Sequence, residues 1–107
     1  MTKQELIELI GDRLEEIDTL RGSLLPGVPK RVTLDGERDE LDSQQLKLLK
    51  GIWDDNTQQF QNAATELSDV NSDLKQTVAD LKKFDETLQT LQRFTAAVDK
   101  IVKIVLP

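Results

Sequence analysis

The chain has 107 residues, of which 37% are hydrophobic and 32% are charged, and its net charge is −6 at neutral pH. This length allows one domain at most. The acidic balance argues against a general nucleic-acid binder, because such proteins neutralise phosphates with clustered Lys and Arg. His, Cys and Tyr are absent, which excludes disulfides, thiolate metal sites and imidazole catalysis.

The N-terminal segment, residues 1–20, is predicted to form a short amphipathic helix. Thr2 and Glu5 have the spacing of a capping box, which marks a helix start. Apolar residues then recur at intervals of three and four from Leu6 to Leu20, as on one face of a helix. The segment has acids throughout and lacks the apolar core of a secretory signal, so we expect a cytoplasmic protein.

The next segment, residues 21–36, contains three glycines and two prolines. Closely spaced prolines disfavour helix and push the residues before them into extended conformations. The composition therefore predicts a loop of about 16 residues, longer than most connections in compact domains. Its five Leu and Val residues indicate that the loop packs against the rest of the protein.

Residues 37–106 are predicted to form one long helix with a heptad repeat. With Leu46 at position a, fifteen of the eighteen a and d positions up to Val105 are apolar, and none is charged. We call these positions the seam. A repeat of this period predicts a left-handed coiled coil, and about 70 residues of helix would be roughly 100 Å long.

One segment, residues 51–60, leaves two interpretations open. Gly51, Asp54 and Thr57 are poor helix formers, and Asn56 with Gln59 has the form of a new N-terminal cap. These residues favour a hairpin turn. The seam keeps its phase on both sides of the segment, however, which favours an unbroken or kinked helix.

The predicted fold is therefore a single all-α domain, an elongated helical bundle or coiled coil. Helix 1 would be about 28 Å long and could cover only the first third of the long helix, so another chain must cover the remaining apolar stripe. We expect a homodimer first and a tetramer second, or another helical protein as partner. The predicted interface residues are Phe60, Leu67, Val70, Leu74, Leu81, Phe84, Leu88, Leu91, Val98, Val102 and Val105.

Function is predicted as an oligomeric protein–protein interaction module, a spacer or adaptor. Trp53, the only tryptophan, is either a core residue or a hot spot for a partner. No catalytic, metal-binding or cofactor-binding motif is found, so we do not expect an enzyme. The alternative is a helical oligomer that associates with a membrane surface through its apolar C-terminal segment, residues 98–106, although the two lysines there are a weak basic face.

Overall fold

The computed structural model describes residues 1–78 and 81–107, apart from the side chain of Leu81, and within them the chain forms four α-helices and no strand. The helices are α1 (Lys3–Gly22), α2 (Pro29–Lys50), α3 (Gln58–Thr77) and α4 (Phe84–Val105), with a short 3-10 helix at Leu81–Lys83 before α4. The predicted all-α class is confirmed. Ala79 and Asp80 lie outside the described residues.

Helix α1 agrees with the prediction for its segment. The Thr2 hydroxyl accepts a hydrogen bond from the Glu5 amide at 3.1 Å, and the Glu5 carboxylate accepts one from the Thr2 amide at 3.1 Å. The two bonds form the predicted capping box and satisfy two amides that have no partner within the helix. Six residues of the helix face the core: Leu6, Ile10, Arg13, Leu14, Ile17 and Leu20.

The predicted loop at 21–36 is wrong, because the connection covers only residues 23–28 and α2 begins at Pro29. Proline is favoured at the first position of a helix, since its missing amide would have no partner there and its fixed φ already suits the helix. The sequence prediction treated Pro29 as a helix breaker. Gly36 is accommodated within the second turn of α2.

The single helix predicted over 37–106 is also not observed, because the chain turns twice within it. The first turn is at residues 51–57, where the Asp54 carboxylate accepts a hydrogen bond from the Asn56 amide at 2.8 Å. Thr57 then caps α3 by accepting from the Phe60 amide at 3.2 Å, so the cap is one residue later than the predicted Asn56–Gln59 pair. The second interruption lies between Thr77 and Phe84.

The helices consequently pack into a short bundle rather than a rod. Its longest dimension is 41 Å, against roughly 100 Å for the predicted helix. The Met1 amino group donates to the Gln61 side chain at 3.0 Å, which places the start of α3 beside the start of α1. Lys30 pairs with Asp85 at 3.1 Å, which places the start of α4 beside the start of α2.

These contacts define an up-down-up-down bundle in which the connection after α2 crosses one end. Helix α2 packs between α1 and α4, and α4 packs against α3. One apolar core runs through all four helices, and its largest fully enclosed side chains include Phe60, Phe94 and Ile10. Five polar residues are also buried: Arg13, Gln44, Thr87, Thr90 and Thr95.

Candidate interaction surface

The residues predicted to form an oligomer interface lie in, or against, the core of one chain. Five of them are buried: Phe60, Leu67, Leu74, Leu91 and Val98. Another five are partly buried and pack against that core: Val70, Phe84, Leu88, Val102 and Val105. The side chain of the eleventh, Leu81, is outside the described part of the chain.

The prediction required a second chain to cover the apolar seam. In the structure, α1 and α2 of the same chain cover it. Leu6 and Ile10 of α1 and Leu41 and Leu48 of α2 are fully buried in the same cluster as the seam residues. An oligomer was predicted because most of the seam would otherwise lie in water. In a chain folded in this way the seam is covered without a second chain, and self-association stays a prediction.

Trp53 lies half-buried against one end of the bundle. Its ring centroid is 5.0 Å from that of Phe60, its indole N–H donates to the Leu48 carbonyl at 3.1 Å, and the Lys3 ammonium lies 5.6 Å from the ring centroid. The indole thus satisfies its donor and packs on the core within the chain. These contacts hold the connection between α2 and α3 on the end of the bundle.

The apolar C-terminal segment also packs within the chain. Val98 and Ile101 are buried in the core, and Ile104, Val105 and Leu106 are half-buried. No helix in the described residues combines the length and the apolar character that crossing a membrane requires. The segment therefore leaves little apolar surface for the alternative function that the sequence suggested.

Four apolar residues at the end of α2 and on the neighbouring turn of α1 behave differently. Leu46 is 49% exposed and Leu49 is 58% exposed, and the two lie three residues apart on one face of α2. Ile52, which is 99% exposed, lies in the connection just beyond the end of α2. Ile7 of α1 is half-buried and lines an open groove of about 660 Å³ together with Leu49. We call Ile7, Leu46, Leu49 and Ile52 the α2-end patch.

Charged residues of both signs border the patch: Lys3, Lys47 and Lys50 lie beside it, and carboxylates extend from it along α1 and α2. Glu8 lines the same groove as Ile7 and Leu49, and Asp42 lies one helical turn before Leu46. Hydrogen bonds, from Arg38 above all and also from Arg21, hold the pKa of Asp18 below its ordinary value. Asp18 therefore stays ionised over the physiological pH range, and two arginines are occupied in neutralising it.

One carboxylate of the described residues has a raised pKa. Burial raises the pKa of Glu37, with a smaller contribution from the Glu40 carboxylate and an opposing one from Thr95. Because Thr95 belongs to α4, this shift is a consequence of the packing of α2 against α4. No group of three His, Cys, Asp or Glu side chains comes together as a metal site in the described residues.

The sequence prediction did not identify the α2-end patch as a surface. It placed Leu46 and Leu49 in the seam and did not single out Ile52. The stretch Leu46-Lys47-Leu48-Leu49 contains a signal for an exposed leucine. Successive residues of a helix point about 100° apart, so one core face cannot take Leu46, Leu48 and Leu49 together. Leu48 faces the core, which leaves the other two outside.

No protein-family model, curated protein or solved structure matches the chain.

Proposed function

We propose that the protein is a small helical adaptor that binds another protein through the α2-end patch. The supporting observation is the exposure of Leu46, Leu49 and Ile52 at one end of the bundle, where three large apolar side chains add nothing to the core. Apolar surface that is grouped and bordered by polar residues is typical of protein interaction sites. The patch would act as the anchor of the interface, with the surrounding charged residues as its rim.

A protein partner is a better match to this surface than a lipid or a nucleic acid. Apolar anchors in a charged rim are what helix-in-groove interfaces use. Binding to anionic lipid or to nucleic acid depends on Lys and Arg, whereas residues 1–55, which contain the patch, carry 13 acids and 8 bases. Self-association, as a dimer first and a tetramer second, would use the same patch and is the main competing occupant.

The first test is a comparison of captured proteins between matched variants. The purified protein, the double variant Leu49→Ser/Ile52→Ser and the control variant Leu25→Ser are each immobilised and exposed to extract from the source cells. Leu25 is 75% exposed and lies near the opposite end of α2, so it matches the lost leucine without touching the patch. Bound proteins are quantified by mass spectrometry, and any candidate is then purified and its Kd measured.

We expect at least one protein to bind the wild type and Leu25→Ser and to be lost from the double variant. Light scattering coupled to size exclusion, run over micromolar concentrations, separates this outcome from self-association. A mass above that of one chain that falls to one chain in the double variant would assign the patch to a second copy. The same set of bound proteins and the same mass for all three samples would reject the patch as an interaction surface.

A further inference from the structure

Helices α1 and α2 pack side by side, and their outward sides form one face of the bundle, which we call the α1–α2 face. The Gln45 side chain donates to the Ile7 carbonyl at 3.1 Å, and Arg38 donates to Asp18 at 2.7 Å. A Cβ added at Gly11 would lie 3.3 Å from the Gln45 side-chain nitrogen, so the two helices approach closely there. The contacts pair residues along the length of both helices in an antiparallel register.

One half of this face carries an open groove with an apolar floor. The first two turns of α1, Leu49 at the end of α2 and Asp55 line this groove, and its volume is about 660 Å³. Ile7 and Leu49 supply the apolar surface, and Leu46 lies one turn along α2. This half has the size and chemistry to accept large apolar side chains from a partner.

The other half of the α1–α2 face is strongly acidic. Residues 12–18 of α1 and 35–42 of α2 together carry nine acids and two bases, although the whole chain has a net charge of only −6. Of the two bases, Arg13 is buried against Asn71 and Glu16, and Arg38 is bound to Asp18.

Six acids in these two segments form no salt bridge in the described part of the chain: Asp12, Glu15, Glu37, Asp39, Glu40 and Asp42. All of them except Glu37 are exposed. Asp39 and Asp42 lie close enough to Arg38 to act on its charge, which places them beside the residue that bridges the two helices. The negative field of this half is therefore directed to solvent, where a positively charged partner can reach it.

We infer that the α1–α2 face binds a basic amphipathic helix of a partner protein, an inference that rests on the proposed docking role of the α2-end patch. The partner's apolar residues would contact Ile7, Leu46 and Leu49, and its Lys or Arg residues would face the acids around Asp42. From Asp39 to Leu49 is about 15 Å along α2, which is three turns of a helix. An occupant of about eleven residues would span both halves.

Charge also favours this occupant over a second copy of the chain. Each copy of the chain carries a net charge of −6, so two copies repel each other, whereas a basic helix is attracted. Lys47 and Lys50 of α2 lie within and beside the patch, next to Leu46 and Leu49. The partner's basic residues are therefore expected opposite the acids at the Asp39 end of the α1–α2 face.

The inference is tested with two synthetic helical peptides of three turns that share one leucine stripe. The first peptide carries lysine on its polar face and the second carries glutamate. Their affinities for the full chain are measured by fluorescence anisotropy at two salt concentrations. The variants are Leu49→Ser and Asp42→Lys, and the matched controls are Leu25→Ser and Asp69→Lys, the latter an exposed acid of α3 without a basic partner in the described residues.

We expect the lysine peptide to bind at least about tenfold more tightly than the glutamate peptide, because the acids select charge. Leu49→Ser and Asp42→Lys should each weaken lysine-peptide binding by about tenfold, while the two controls change it little. Added salt should weaken binding to the wild type more than to Asp42→Lys, because screening acts on the charges that remain.

The possible failures separate this inference from the proposed function. If the glutamate peptide binds as tightly as the lysine peptide and both depend on Leu49, the patch is a docking site but the basic partner is wrong. Equal weakening by Asp42→Lys and Asp69→Lys would show non-specific attraction to an acidic protein and would also overturn the inference. If peptide binding and protein capture are both independent of Leu49, the docking role of the patch falls as well.

Discussion

Helices α2 and α4 are neighbours of equal length, 22 residues each, yet they use their apolar residues differently. Helix α4 buries seven residues, and none of its large apolar side chains, all of which are described, is fully exposed. Helix α2 buries three leucines and Gln44 but leaves Val32, Leu46 and Leu49 exposed. The apolar residues of α4 are explained by their place in the core. The exposed apolar residues of α2 are not, and they need another explanation.

The largest effect expected from this difference is on stability. Phe94 of α4 is fully buried in the core, so Phe94→Ala removes an aromatic ring and leaves a cavity, which costs about 3–5 kcal/mol of unfolding free energy. Leu46→Ala on the outside of α2 should cost less than about 1 kcal/mol. Urea unfolding of both variants checks the pair, and similar losses would mean that Leu46 is buried in solution.

The sequence predicted the helices better where local chemistry decides the structure. The capping box of Thr2 and Glu5 set the start of α1 correctly, because both bonds lie within four residues. The turn at 51–57 was left open, since Asp54 and Thr57 indicated a break while the constant seam phase indicated none. Trp53 occupies a seam position although it lies outside any helix, because its ring packs on Phe60. An apolar residue at that position therefore does not indicate an unbroken helix.

The remaining errors come from information that the local sequence does not contain. Neither Gly nor Pro occurs between Thr77 and Phe84, so no breaker marked the second interruption. The seam residues were assigned correctly to a buried face, but periodicity cannot tell whether the cover belongs to the same chain. In a single long helix without the interruption between Thr77 and Phe84, α1 could not cover most of the seam. The prediction therefore required a partner chain.

A second prediction concerns the point where the end of α2 meets the end of α4. A Cβ at Gly51 would lie 2.6 Å from a Leu106 methyl carbon and 3.0 Å from the Lys47 carbonyl oxygen. Gly51→Ala should therefore lower the free energy of unfolding by about 1–2 kcal/mol through overpacking. Its φ of −72° is ordinary, so the cost comes from contact and not from the backbone.

The matched control is Gly36→Ala, within α2, where an added Cβ meets nothing within 4 Å. This change should raise the stability by about 0.5–1 kcal/mol, because alanine has less freedom to lose than glycine. The two alanine variants of one helix should thus move in opposite directions in thermal unfolding. Stabilisation by both would show that α2 and α4 do not meet at Gly51.

The third prediction uses the pH dependence of the α2–α4 contact. Burial raises the pKa of Glu37 above its ordinary value of 4.5, so the ionised form is disfavoured in the folded state. The stability linked to this group is fully present below the unfolded pKa and is lost as the pH rises through the folded pKa. Glu37→Gln, which is always neutral, should therefore be more stable than the wild type at neutral pH.

The difference in melting temperature between Glu37→Gln and the wild type should shrink as the pH falls and vanish below pH about 4. Thermal unfolding followed by circular dichroism over this range measures it. A difference that grows toward acid would mean that an attractive partner, rather than burial, controls the Glu37 carboxyl group.

The smallest stability effect is expected at Leu49, and it separates folding from function within α2. Leu49 is 58% exposed, so Leu49→Ser should change the free energy of unfolding by no more than about 0.5 kcal/mol. Leu48→Ser, at the next position, removes a fully buried side chain and places a hydroxyl in the core, so it should cost several times more. If Leu49→Ser instead destabilises the chain as strongly as Leu48→Ser, Leu49 belongs to the core, and its exposed surface cannot serve as an anchor for a partner. If Leu49→Ser leaves stability unchanged while abolishing capture of a partner, the leucine is present for binding, and the surplus apolar residues of α2 have their explanation.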